Sequence, residues 1–227
     1  GEVEVGHAQK GHRWLRSGED RHFPPPLPPG ANPPAVVGQC GMPDLSPPLP
    51  VLESDRLRLR PMRTDDVDDV FALYSSPEVT RFWSFGTWTE RAQAEAWLAE
   101  RIPWRPPSVY GWAIADRRDD RFIGTTALFS LAGPMHRAEL GYSLLPERQG
   151  QGLATEAVRL ALDHAFDVLG LARIEADVDP RNLASCRLLE KLGFQREGLL
   201  RNRWRVGGEF ADSILFGLLR PDYARPA

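Results

Sequence analysis

Two glycines, Gly150 and Gly152, interrupt the run Gln149 to Ala154 (QGQGLA), and their spacing is the first in this chain that could do chemistry. A glycine at both positions lets several backbone N–H groups converge in one turn, with no Cβ to hinder the approach of a ligand. Where a helix starts directly after such a turn, its first N–H donors lack partners and carry the positive end of the helix dipole. Main-chain atoms alone can then hold a phosphate or pyrophosphate. An ordinary surface loop can have the same composition, so the glycine pair alone leaves both readings open. Two familiar phosphate loops are excluded. The dinucleotide fingerprint needs a third glycine where Thr155 stands, and no Gly-Lys-Ser/Thr run of the Walker type occurs.

The flanking residues supply the elements that would position this turn. Upstream, Ala138, Leu140, Tyr142 and Leu144 alternate with Glu139, Gly141 and Ser143, the period of a half-buried strand. Downstream, Ala154, Ala157, Val158, Ala161 and Ala165 share one face of a helix expected over Leu153 to Leu169. Glu156, Arg159, Asp163 and Asp167 form its opposite stripe, with Glu156–Arg159 and Arg159–Asp163 as expected charge pairs. Strand, glycine turn and helix follow one another.

The rest of the chain reads as one domain behind a proline-rich segment. Eleven of the 21 prolines lie in residues 1–50, with FPPPLPPGANPP and SPPLP as the dense runs. That composition predicts disorder with local polyproline-II character. Its PxxP spacing would suit an SH3-type partner, or the segment is an inert tail. Residues 51–227 are long enough for a sizeable core. A strand around Leu57 and Leu59 ends at Pro61, and Thr64 is the expected cap of a helix carrying Val67, Val70, Phe71 and Tyr74. Thr89 is the expected cap of a second helix reaching about Ile102. Between them, Trp83, Phe85 and Trp88, with Trp104 further on, either line a substrate groove or belong to the core. Strands are expected at about Val109–Ala115, Arg121–Phe129 and Arg137–Leu145, paired as an antiparallel meander. After the glycine turn and its helix, Gly170 caps, Leu171–Val178 is a strand, and Asn182 caps a helix closed by Gly193. Phe194–Val206 and Glu209–Leu219 form a last strand pair joined at Gly207–Gly208.

The net charge of −3 argues against nucleic acid as the main partner. No apolar run approaches the length needed to span a bilayer, and residues 1–30 lack a signal-peptide core. Of two cysteines, Cys40 falls in the proline-rich segment and Cys186 in a helix, so a disulfide framework is not expected. A cytoplasmic domain, monomeric or homodimeric, is the expectation.

Three ordered blocks, LESDRLRLRPM, AELGYSLLPERQGQGLATEA and DPRNLASCRLLEKLGFQREG, resemble the GNAT acetyltransferases, with the Rim-type N-terminal acetyltransferases of ribosomal proteins as the nearest likeness. The resemblance covers about Leu52 to Asp222. It implies an α/β (α+β) fold with a central mixed, mostly antiparallel sheet and helices on both faces. It also implies acetyl-CoA as donor, with no metal. The backbone of Gln149, Gly150, Gln151, Gly152, Leu153 and Ala154 would hold the pyrophosphate, and Gln151 and Thr155 could add donors. Leu144 and Leu145 would make main-chain contacts in a gap between splayed strands, and Asn182 would direct its amide to the pantetheine arm.

The resemblance makes Glu139 a candidate base beside the thioester, and Ser185 a candidate acid for the departing thiolate. The tyrosine that many relatives place seven residues after the asparagine is replaced here by Leu189. Where some Rim-type enzymes carry a carboxylate on the following strand, this chain has Trp204. Cys186 as an acyl relay is a further, weaker option. Several readings therefore stand at this stage. They are acetylation of a primary amine, either a protein N-terminus or a small amine such as a polyamine or aminoglycoside, a non-catalytic acetyl-CoA-binding module, and an interaction protein working through the proline-rich segment.

Overall fold

Alternation decides the start of the domain. Leu57 and Leu59 are fully buried in strand β2 (Leu57–Arg60), which pairs with the short β1 (Leu52–Glu53). The computed structural model describes residues 48–103, 106, 109–132, 136–206 and 208–224. Trp104, Cys40, Gly207 and most of the proline-rich segment lie outside the described residues. Composition assigns Leu49 and Pro50 to that segment, yet Leu49 is 8% exposed in the main core. The Pro50 carbonyl accepts a 2.8 Å hydrogen bond from Trp112 Nε1.

Helices α1 (Val67–Tyr74), α2 (Pro77–Thr80) and α3 (Arg91–Arg101) follow. Both expected caps differ from the observed ones. Thr64 sits inside a 3-10 turn, where the Asp66 carboxylate accepts the Arg63 N–H at 2.8 Å. Asp66 also takes both ends of the buried Arg60 guanidinium, at 2.7 and 2.9 Å. The start of α3 lies beyond Thr89. Gln93 Oε1 reaches back to accept from the Thr89 and Glu90 N–H groups at 2.9 and 3.0 Å.

The sheet then builds as expected. β3 (Tyr110–Asp116), β4 (Phe122–Ala132) and β5 (Arg137–Leu144) form the antiparallel meander. After α4 (Leu153–Asp163), a π-turn over His164–Val168 and Gly170 at φ +65° lead into β6 (Arg173–Val178). Helix α5 (Leu183–Lys191) and the long pair β7 (Gln195–Val206) and β8 (Glu209–Leu219) complete the fold. The strand order is β1-β2-β3-β4-β5-β6-β8-β7, antiparallel except for the parallel contact of β5 with β6. One core joins the sheet to α4 and α5, and a second joins its other face to α1 and α3.

The parallel contact is brief. Arg137, Ala138 and Glu139 pair with Arg173, Ile174 and Glu175, and then the strands separate. Leu140 to Leu144 remain bonded to β4 on one side and face a gap on the other. No helix among the described residues is long and apolar enough to cross a membrane.

Candidate acetyl-transfer site

The glycine turn lies at the mouth of this gap, and its shape depends on backbone conformations that side chains resist. Gly150 and Gly152 have φ of +71° and +77°, the left-handed region that favours glycine. A Cβ on Gly150 would meet open space, so a ligand can come close to the main chain there. Gly152 is the residue just before α4, and the first turn of that helix presents its unpaired N–H groups to the loop. Leu153 is buried and anchors the helix start, while Ala154 and Thr155 are half-buried.

The side chains of the turn brace it. Gln149 Nε2 donates to the Leu144 carbonyl at 3.0 Å, and Gln151 Nε2 to the Glu147 carbonyl at 2.8 Å. The Leu145 N–H is taken by the Ile123 carbonyl at 2.9 Å. These bonds engage part of the Leu144, Leu145 and Gln151 contact groups that the resemblance assigns to the ligand. Arg56, from the loop before β2, adds a brace that sequence reasoning missed. Its Nη1 donates to the Gln151 carbonyl at 3.1 Å, while Nε and Nη2 hold Glu156 at 2.7 and 2.5 Å. Glu156 thus pairs with Arg56 and with Ser54 Oγ at 2.7 Å, in place of the expected partner Arg159. Burial works against ionisation of Glu156, but the Ser54 and Arg56 hydrogen bonds outweigh it and hold its carboxyl below the ordinary value. At the other end of the charged stripe, Asp163 accepts from the Tyr223 hydroxyl at 3.1 Å.

Across the gap, Asn182 caps α5, with Oδ1 accepting the Ser185 N–H at 3.1 Å. Asp179 locks the loop that delivers Asn182. Its carboxylate binds the Arg181 backbone N–H and guanidinium at 2.6–3.2 Å, and those contacts hold its carboxyl low. Ser185 Oγ lies 2.6 Å from the hydroxyl of Tyr142 on β5. Burial pushes the Tyr142 phenol up to about 12, with the Ser185 bond acting in the opposite direction. Leu189 is fully buried in the core, so its position offers the gap no hydroxyl. Cys186 is buried beside them, and desolvation raises its thiol above the ordinary value, which opposes a nucleophilic thiolate there.

Glu139 stands where β5 and β6 part, on the sheet face opposite α4 and α5. Its neighbours Ala138 and Leu140 belong to the core beneath those helices, so alternation turns Glu139 away from it. Its carboxylate is half-buried and has no hydrogen-bond or ion-pair partner among the described residues. Glu175 and Asp177 share that face, since Ile174, Ala176 and Val178 fill the core on the other. Glu175 is paired with Arg137 at 2.5 Å and Arg173 at 2.8 Å. Asp177 accepts from Trp204 Nε1 at 3.0 Å, Arg203 Nε at 3.3 Å and Ser213 Oγ. The indole that stands where some relatives carry a carboxylate is therefore hydrogen-bonded to one, reaching from β7 past β8 to β6. Trp83, Phe85 and Trp88 pack around Tyr74 with ring centroids 4.8–6.0 Å away, as partly buried members of the second core.

Fold and gap together define an acyl-CoA-dependent transferase, and the comparisons with known proteins agree. A family model described as "Acetyltransferase (GNAT) domain" matches residues 56–195. The uncharacterized N-acetyltransferase p20 of Bacillus licheniformis is 37% identical over 78% of this chain and 99% of its own length. The chain belongs to the GNAT acetyltransferase family and is an acetyl-CoA-dependent N-acetyltransferase. Other relatives include the spermidine N(1)-acetyltransferase of Escherichia coli, 29% identical over 74% of this chain and 88% of that protein. The ribosomal protein uS5-alanine N-acetyltransferase of the same organism is 31% identical over 51% of this chain and 60% of its own length. The crystal structure of a putative acetyltransferase from T. thermophilus superposes with a TM-score of 0.67 at 30% identity, covering 76% of this chain and 90% of that one.

Proposed function

We propose that this enzyme acetylates a protein N-terminal α-amine. The carrying observation is the charge balance of the acceptor face. Glu175, Asp177 and Asp179 each hold arginine, and Glu139 alone of these four carboxylates has no arginine partner among the described residues. One uncompensated carboxylate suits one amine on an otherwise uncharged stretch. A polycation would call for several. An α-amine also titrates near 8, so an appreciable fraction is neutral at pH 7, whereas a polyamine amine near 10 is almost wholly protonated.

The fit of acetyl-CoA rests on the open turn at Gly150 and Gly152 and on the stretch of β5 at Leu140–Leu144 that has no β6 partner. Acetyl-CoA supplies an activated acetyl group. The backbone of Gln149–Ala154, with Thr155, would take the pyrophosphate, and the Asn182 amide would meet the pantetheine arm. Free N–H groups along β5 are the donors available to the carbonyl oxygen as it becomes negative. Glu139 accepts the proton that the amine nitrogen sheds on bonding to the acetyl carbon. Ser185 donates to the sulfur as the C–S bond breaks. Alignment of the two substrates accounts for much of the remaining acceleration.

A second reading, a polyamine acceptor, is favoured by the spermidine relative. Release of CoA thiol measured against peptides with free N-termini, polyamines and aminoglycosides decides between them. The α-amine reading expects kcat/KM for peptides to exceed that for polyamines by at least about tenfold, and the reverse order overturns it.

A further inference from the structure

The gap holds a second hydroxyl that the acceptor chemistry leaves without a task. Tyr142 lies on the stretch of β5 without a β6 partner, and its side chain crosses to α5 to meet Ser185 Oγ at 2.6 Å. A serine hydroxyl has one hydrogen to give and rotates to suit its neighbours. Backbone contacts alone do not aim it. Asn182 fixes the Ser185 main chain through the 3.1 Å cap, and a second oxygen is needed to fix the hydrogen.

We propose that Tyr142 is a positioning residue for the leaving group: its O–H donates to Ser185 Oγ, which turns the Ser185 O–H toward the sulfur of bound CoA. The inference rests on the acetyl-transfer reading of the gap and deepens it. The burial that keeps the phenol protonated also keeps it a donor throughout the working pH range. During transfer the amine lone pair forms the C–N bond, and the C–S pair departs onto sulfur. The Ser185 O–H stabilises that pair by a hydrogen bond, Glu139 carries the amine proton to solvent, and the thiolate is protonated by solvent after release. Leu189, buried where many relatives place a tyrosine, leaves this task to a hydroxyl from the opposite wall of the gap.

The test needs no acceptor. CoA is titrated in complex with the full chain, and thiolate is read from its ultraviolet absorbance. A hydrogen bond to the charged form favours it, so the bound thiol should titrate about one pH unit lower in wild type than in Tyr142→Phe. Ser185→Ala should lose the same shift, and the double variant should lose no more than Ser185→Ala alone. Affinity for desulfo-CoA by calorimetry should be equal in all four proteins. In turnover, Tyr142→Phe should lower kcat roughly tenfold, the worth of one hydrogen bond, with KM for acetyl-CoA unchanged. Equal thiol titration in wild type and Tyr142→Phe overturns the proposal, as do additive losses in the double variant. If desulfo-CoA binding falls in Tyr142→Phe, the residue is structural and the proposal fails. If no amine is acetylated, the acceptor reading falls alone, because the thiol titration still judges Tyr142. A wild-type chain that fails to bind CoA overturns both.

Discussion

Among individual residues, Glu139 carries the sharpest claim, because it stands where β5 and β6 part and no arginine among the described residues holds its carboxylate. Glu139→Gln keeps the shape and removes the proposed base. Its kcat should fall by about 10²–10⁴-fold, with acetyl-CoA affinity unchanged, since the glycine turn lies at the far end of β5. Raising the pH should restore part of the rate as more of the amine becomes neutral without help. Steady-state kinetics from pH 6.5 to 9.5 check this, and full activity with an unchanged profile removes Glu139 from the mechanism. Glu139 and Ser185 could be singled out in the sequence through the blocks around them. Tyr142 could not, because alternation assigns it to the core face with Leu140 and Leu144, and only α5 shows that its hydroxyl has a partner. Arg56 was hidden for another reason. Its bond to Glu156 spans 100 positions, and on a helix surface Arg159 is the nearer choice by sequence.

Whole elements were easier to read than their ends. Periodicity located β5, α4, α5 and β8, whose buried residues recur with the period of the element, and the Gly207–Gly208 turn located the partner β7. Asn182 caps α5 as expected, but the caps at Thr64 and Thr89 were misplaced, since Asp66 and Gln93 compete for the free N–H groups with side chains that reach back in the chain. The short parallel contact of β5 with β6 was legible only through the resemblance, because nothing local tells a strand to leave its neighbour after three residues. At the turn before α4, Gly152→Val should cost acetyl-CoA affinity at least about tenfold by calorimetry, since a β-branched residue resists φ +77°. Equal affinity in the variant would show that the turn does not hold the ligand. The π-turn closing the α4 segment gives a separate prediction. His164 is buried against Tyr110 and Trp112, its Nε2 has no hydrogen-bond partner among the described residues, and desolvation depresses its pKa. The unfolded chain therefore binds the His164 proton first as the pH falls. Stability should be fullest above about 6.5 and decline as the pH drops toward the folded-state value. Urea midpoints at pH 7.5 and 5.5 should differ less in His164→Leu than in wild type.

For the molecule as a whole, the open question is where the domain begins, since composition marks a break at residue 50 and packing begins earlier. Leu49 fills a place in the main core, and Pro50 supplies the acceptor for the indole N–H of Trp112, whose side chain is fully buried. The proline count hid these contacts because composition averages over windows and cannot weigh one leucine. A chain starting at Val51 loses the leucine burial, worth about 1.5–3 kcal/mol, and leaves a buried N–H unpaired at about 1–3 kcal/mol more. For a domain of this size each kcal/mol moves the melting temperature by about 2–4 °C, so the loss should be roughly 5–24 °C. A chain starting at Leu45 keeps both contacts and should melt with the full-length protein. Trp112 lies on β3, with β4 between it and the active strand β5, so the shorter chain should retain kcat at low temperature while failing earlier on heating. Calorimetric scans of the three chains, with activity measured at about 15 °C, below the expected loss of folded protein, check both halves. Equal melting of the Val51 chain would show that Leu49 and Pro50 contribute nothing. A Leu45 chain that melts early would show that residues before it also support the domain.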